Sequence, residues 1–392
     1  MLRTEPTTII LRFRSLLVDR PHPTAQQEIV STVLSSSNSP RDFSAAVVNE
    51  FVLLLIYGLR VLAWNWVTGK CHARLDSDMR RTFTAAVPLQ RTAFMTFRQT
   101  HNNPILEIFT YSAEEPTSDK PSPIRCAIYG LPTLQIGVEM VVQFRINPPP
   151  FQYSHLVHPD SSSLPIETPS SFRRPFEVQE TSRILVLAIC VRTALGDEQS
   201  RDLAIFAPLR TFTKFTTTTT NLDLDAPRGD PPIIPPSEWM RSSQVLADVP
   251  LLSAWCGHYV YGNRVATLPL DSSGRANLCV YDFNPAIISY SKHHRRDSAC
   301  SENQFPKPGG EKSAEELDMI QWTEGNANVG LVSRKLDLID TRFFQLPVRG
   351  GASFLASVST EEIDVGPNEI DVMIDDERVL VMRVGRSSSV HN

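Results

Sequence analysis

Short apolar or alternating runs recur along the whole chain, parted by proline- and serine-rich connections. Apolar residues two apart share one face of a strand, and β-branched and aromatic residues fit that pleated surface. The pattern predicts strands over Thr8–Phe13, Val52–Tyr57, Leu59–Trp66, Cys71–Leu75, Thr92–Arg98, Ile105–Tyr111, Ile124–Tyr129 and Glu139–Ile146. It continues through Ile184–Val191, Leu203–Pro208, His258–Val265, Arg275–Asp282, Val329–Val332 and Leu336–Ile339. Ser353–Val358, Glu369–Ile374 and Arg378–Val384 complete the series. So many short strands without long helical periods predict an all-β fold. A sandwich rarely needs this many, whereas a propeller adds blades of about four strands each. The expectation is a β-propeller of about six to seven blades over residues 1–385, with a disordered tail at 386–392.

Two helical patterns interrupt the series. Thr24–Leu34 reads as a short helix, and Ser313 to Ile320 carries a capping-box spacing between Ser313 and Glu316. Long loops are expected at 147–181, 212–244 and 291–312, rich in proline, serine, threonine or glycine. The most apolar stretch, Phe51 to Ala63, is broken by Gly58 and Arg60. It falls well short of the ~20 residues a membrane-spanning helix needs. It reads as a buried strand entering a hairpin at Gly58.

Composition sharpens this picture in three ways. Thirty prolines against seventeen glycines among 392 residues argue against long helices, because proline lacks an amide donor and clashes with the preceding turn. The net charge of −5 gives no whole-molecule reason to expect nucleic acid, although the first hundred residues lean basic and the last eighty acidic. The six cysteines are scattered without a CxxC pair, which favours a reducing compartment. With no secretory pattern near Met1, a cytoplasmic or nuclear protein is expected.

The most informative local segment is Trp64-Asn65-Trp66-Val67-Thr68-Gly69. Thr68-Gly69 supplies a turn in which glycine takes positive φ, after which Cys71, Ala73 and Leu75 resume the alternation. Trp64 and Trp66, two apart, are expected to share a face and pack between blades. WD-type blades end in a similar Trp-Asp-x-x-Thr-Gly segment, with Asn65 here in place of the aspartate.

With Leu11–Leu17, Arg20–Pro23, Pro208–Phe212, Pro235–Trp239, Gly257–Gly262, Val280–Pro285 and Val372–Val379, this segment resembles the F-box-associated, WD-repeat-like proteins of mushroom-forming fungi. The resemblance implies a propeller for protein recognition, in many members downstream of an F-box that docks on a Skp-type adaptor of a cullin-RING ubiquitin ligase. No F-box is evident ahead of the first strand, and Thr24–Leu34 is too short to be one. A Skp-type partner is therefore expected only if an F-box lies upstream. A stand-alone scaffold or truncated family member is the alternative.

Enzyme signatures are weak. Pro308–Ser313 lacks the first glycine of a phosphate loop and the glycine before its lysine. His155, His158 and Asp160 sit in a Pro/Ser-rich loop with no cysteine pair to close a zinc site. Asp223 and Asp225 lack the rest of a calcium loop. No cofactor, metal or catalytic residue is assigned; an enzyme built on the propeller is the third reading. The candidate partner-binding residues are the aromatics Trp239, Trp255, Tyr259 and Tyr261 and the basic run His293, His294, Arg295 and Arg296. Exposed aromatic and arginine side chains make good anchors, while core packing is the competing reading for the aromatics. Basic residues without interleaved aromatics give no nucleic-acid surface.

Overall fold

The computed structural model describes residues 7–12, 14–15, 20–21, 25, 29–34, 43–77, 82–100, 103–116, 118, 120–146, 183–193, 200–216, 230–247, 260–267, 275–290, 319–324, 327–332, 337–338, 342–346, 348–349, 354–364, 369–374 and 379–384. These are predominantly strand, in antiparallel sheets, and none of the sheets closes on itself. They fall into two compact units. The first takes the described residues of Met1–Leu131, Pro148–Glu180 and Phe212–Pro235; the second takes those of Pro132–Asn147, Thr181–Thr211 and Pro236–Asn392.

The first unit begins with two small ribbons, β1 (Thr7–Arg12) with β4 (Ile29–Leu34) and β2 (Arg14–Ser15) with β3 (Arg20–Pro21). A four-stranded meander follows in chain order: β5 (Phe43–Val48), β6 (Phe51–Ile56), β7 (Arg60–Asn65) and β8 (Lys70–Asp76). A second meander joins β9 (Ala85–Gln90), β10 (Ala93–Thr100), β11 (Asn103–Thr110) and β12 (Ile124–Gly130), with β16 (Ile233–Ile234) parallel on its edge.

The β6 sequence Phe-Val-Leu-Leu-Leu-Ile does not alternate because both its faces are covered, and all six residues are buried. Leu53 and Leu55 join Val61, Ala63, Ala73, Phe83, Phe94 and Phe109, a cluster that includes residues of both meanders. Leu54 and Ile56 face the other way with Leu62 and Trp64, where Leu11 of β1 packs against them. The β5–β8 sheet is thus sandwiched between two apolar layers.

The second unit contains a meander of β13 (Val138–Ile146), β14 (Ile184–Thr193), β15 (Ser200–Pro208) and β17 (Gln244–Ala247). Its six-stranded sheet runs β18 (Val260–Tyr261), β19 (Arg264–Thr267), β20 (Arg275–Asp282), β25 (Phe354–Asp364), β22 (Ala327–Val332) and β21 (Met319–Glu324). Short ribbons pair β23 (Asp337–Leu338) with β24 (Val348–Arg349) and β26 (Glu369–Ile374) with β27 (Val379–Val384). Ile184, Val186, Ala188, Ala204 and Phe206 of the meander pack with Val260 and Val265. Phe206 stacks on Phe283 at 5.1 Å between ring centres, and Phe354 meets Phe283 and Tyr281 at 5.6 and 5.7 Å.

Several expectations are corrected. The described end of Thr24–Leu34 is strand β4, not helix: Ile29-Val-Ser-Thr-Val-Leu34 is β-branched and pairs with β1 from Thr7↔Leu34 to Arg12↔Ile29. Met319 and Ile320, at the end of the second expected helix, open strand β21; residues 313–318 lie outside the description. The expected loop 212–244 instead carries the end of helix α1 (Arg210–Thr213), β16, helix α2 (Pro236–Trp239) and a 3-10 turn at Met240–Ser242. His258–Val265 divides at Gly262, where φ is +56°, into β18 and β19. Strands β5, β9, β17 and β21, and the two-residue strands β2, β3, β16 and β24, have no counterpart in the pattern reading. The expected loops 147–181 and 291–312 and the tail 386–392 lie outside the described residues, apart from Arg145 and Ile146 at the end of β13 beside the first.

Candidate functional site

The Trp64–Gly69 segment is a clamp on the neighbouring hairpin. Asn65 ends β7, and its side-chain Oδ1 accepts hydrogen bonds from the Val67 and Thr68 amides at 3.0 and 3.1 Å. The Gly69 amide donates to the Asn65 carbonyl at 2.8 Å, with Gly69 at φ +71° as expected for a tight turn. Trp66 then reaches back to the β5–β6 turn, donating its backbone amide to Glu50 O and its indole Nε1 to Asn49 O, both at 2.8 Å. Trp66 lies in the turn rather than on the strand, so alternation does not set its direction; it and Trp64 are both buried.

An amide oxygen performs here the acceptor role that a carboxylate can also fill. Asn65→Ala is expected to cost about 1–2 kcal/mol, because two turn amides lose their acceptor. Asn65→Asp keeps both bonds and should leave stability equal or higher. Chemical denaturation of the two variants, compared at pH 7, checks this pair of outcomes.

β-Bulges on the outer strands of the two meanders then set the faces of two arginines. In the first, Ala63 pairs with Ala73 but Trp64 with Cys71, so His72 is the extra residue. The bulge puts Cys71 on the Leu54/Trp64 face while Ala73 and Leu75 point to the opposite cluster. The expectation that Cys71, Ala73 and Leu75 share a face is therefore corrected. Arg74 and Asp76 are turned to the face of Arg60 and Leu62. His72 is buried edge-on against Phe51, and its Nδ1 sits 3.0 Å from the Ser112 carbonyl. A carbonyl only accepts, so Nδ1 carries the proton.

The second bulge works the same way. Ile108 pairs with Ala127 but Phe109 with Arg125, which leaves Cys126 as the extra residue and turns Arg125 toward the face of Glu107. Glu107 is completely buried. Arg98 Nε and Nη2 donate to its two oxygens at 3.0 and 3.2 Å, and Arg125 Nη1 donates to Oε1 at 2.7 Å. On the first meander, Asp76 accepts from Arg60 Nε on one oxygen and from Arg74 Nε on the other, the latter at 2.8 Å. Each carboxylate therefore holds two guanidinium groups, one deeper and one nearer solvent: Arg60 and Arg98 are 11% and 13% exposed, Arg74 and Arg125 27% and 29%.

Burial pushes the Asp76 carboxyl up, but hydrogen bonds from Arg74 and Arg60 outweigh it and hold the group below its ordinary value of 3.8. A depressed native value adds stability above the unfolded pKa that is lost as pH falls through the folded one. The stability gap between the native chain and Asp76→Asn should thus be constant at neutral pH and narrow below about pH 4. Urea midpoints measured across that range test the window.

Thiol chemistry is suppressed where it can be followed. Burial pushes the Cys71 and Cys126 thiols up to about 11, and Cys190 and Cys279 are also raised, first by burial. Such thiols carry little thiolate at neutral pH. All four are free. Among the described residues no three His, Cys, Asp or Glu side chains gather as a metal site, and no helix is long and apolar enough to cross a membrane.

Of the residues singled out from sequence, Trp239 is in α2 and only 2% exposed, so as folded it offers packing rather than a free anchor. Tyr261 is in the short strand β18. Trp255, Tyr259, His293, His294, Arg295 and Arg296 lie outside the described residues, as do His155, His158 and Asp160. The paired arginine clusters were not anticipated. A scan against protein-family models finds no match for this chain, and a search of curated proteins finds none either.

Proposed function

We propose that the chain is a β-propeller of about six to seven blades that recognises other proteins without catalysing a reaction, like the substrate-recognition part of F-box ubiquitin-ligase adaptors. The observation that carries this reading is β6, buried on both faces between two apolar layers in a four-stranded meander. A blade needs cover on both faces, whereas a sheet at the surface of a sandwich keeps one face wet. The meanders β9–β12 and β13–β15 with β17 have the same chain order and support the same reading. Rigid blades would fix the connecting loops and outer-strand side chains as a recognition surface. Such a role belongs to the cytosol or nucleus, with protein partners and no nucleic acid, membrane or cofactor.

Affinity capture of the full-length protein from a cellular extract, scored for a Skp-type adaptor and cullin-RING subunits, tests the ligase role. Recovery of these subunits supports it. Recovery of other stoichiometric partners without them favours the alternative, a stand-alone scaffold.

A further inference from the structure

The connection from β11 to β12 ends in Lys120-Pro121-Ser122-Pro123, and the serine between the two prolines is exposed. We propose that Ser122 is a phosphorylation site, the acceptor for a proline-directed serine/threonine kinase that uses ATP as donor. The features that make it one lie within this loop and do not depend on the protein-recognition reading above.

Hydrogen bonding separates the serines of this connection. Ser112 Oγ accepts from the Glu114 amide at 3.0 Å, and Ser118 Oγ accepts from the Lys120 amide at 3.2 Å, so each closes a local turn. The Ser122 hydroxyl has no bonding partner among the described residues, and modifying it breaks no bond that they make. The chain on either side of it is held. The Arg74 amide of β8 donates to the Pro121 carbonyl at 2.7 Å, and Ile124 opens β12 paired with Thr110. Ser122 and Pro123 therefore span two fixed points, with the hydroxyl turned out to solvent.

The two prolines fix the shape and the class of enzyme. Each locks its own φ and drives the residue before it, Lys120 or Ser122, into an extended conformation. A kinase cleft takes its substrate as an extended segment, so one already extended loses less freedom on binding. Pro123 also has no amide hydrogen. A pocket that offers no acceptor after the serine leaves an ordinary amide unsatisfied but costs a proline nothing. Arg125 is tied to Glu107 within β12, so the recognised unit is the Ser122-Pro123 pair itself. In the transfer, Ser122 Oγ bonds to the γ-phosphorus of ATP while the bond from that phosphorus to the bridging oxygen breaks. ADP leaves, and the hydroxyl proton passes to the kinase's carboxylate base. The product carries a charge of about −1.5 to −2 at pH 7 on a residue that lies in no strand or helix.

Incubation of the full-length chain with a purified mitogen-activated protein kinase and Mg-ATP, followed by peptide mapping in a mass spectrometer, tests the site. Phosphate should be found on Ser122 of the native chain. Pro123→Ala, shown to be folded by thermal melts, should lower the rate at Ser122 about tenfold or more. Asn65→Ala, which weakens the turn after β7, should leave the rate within about twofold, whereas labelling through global unfolding would rise about tenfold. No phosphate on Ser122 overturns the proposal, including the case in which the kinase labels only Ser39-Pro40 or Thr168-Pro169, the other such pairs of the sequence. An unchanged rate in folded Pro123→Ala overturns it, as does a tenfold rise in Asn65→Ala. If Pro123→Ala does not fold, a kinase that reads acidic residues after its acceptor decides. Pro123, Ile124 and Arg125 offer it none, so equal labelling of Ser122 by that enzyme rejects the proline-directed class.

Discussion

Replacing Glu107 by alanine is expected to lower stability by about 3–5 kcal/mol, the range seen when one member of a buried ion pair is removed. Glu107 has no exposed side-chain surface and, among the described residues, is the only carboxylate bonded to Arg98 and Arg125. Its loss takes both bonds from Arg98, which is only 13% exposed, and one from Arg125, which is 29% exposed. A triple variant, Arg98→Met, Glu107→Leu, Arg125→Met, removes all three charges and should recover most of the loss, because apolar side chains of similar volume replace such clusters at little cost. Urea midpoints of the single and triple variants measure both effects. A single variant as stable as the native chain would mean that water reaches the cluster freely.

Phe206→Ala should be as severe in the second unit, about 3–5 kcal/mol. Phe206 is 1% exposed in the middle of β15, and its ring stacks on Phe283 and lies near Tyr281. Phe354 meets those same two rings, so the aromatic group joins the β13–β17 meander to the β20–β25 pair. Truncation removes the apolar area of one ring and opens a space its stiff aromatic neighbours fill poorly. Phe206→Leu should cost markedly less, since it retains most of the volume. Near-ultraviolet circular dichroism during denaturation follows loss of the aromatic packing directly.

Both positions sit within strands that the hydrophobic pattern located well. Ile105–Tyr111 against Asn103–Thr110, and Leu203–Pro208 against Ser200–Pro208, differ only at the ends. Gly58 and Gly69 were legible as hairpin glycines because positive φ carries a residue preference that acts locally, and both adopt it. The failures have equally local causes. Ile29–Leu34 carries a period that a short helix also fits, and pairing with β1 decided for strand. Strand β5, Phe-Ser-Ala-Ala-Val-Val, has little polar contrast between its faces, so alternation left no signal.

The candidate site was almost wholly hidden. The aromatics and basic residues chosen from sequence were conspicuous side chains, and the one that is fully placed, Trp239, is buried. Arg74 and Arg125 look like ordinary solvated charges on alternating strands. Their roles depend on His72 and Cys126 each inserting one residue into a strand pair, which reverses the face of what lies beyond.

By itself, the sequence determined the all-β character, the position of most strands and the tight turns, because side-chain period and glycine conformation act over a few residues. Only the tertiary structure decided which faces are covered, where register shifts, and which charges meet across strands. Those outcomes depend on partners on other strands: Arg98 and Arg125 reach Glu107 from nine and eighteen residues away, and no local rule carries that distance.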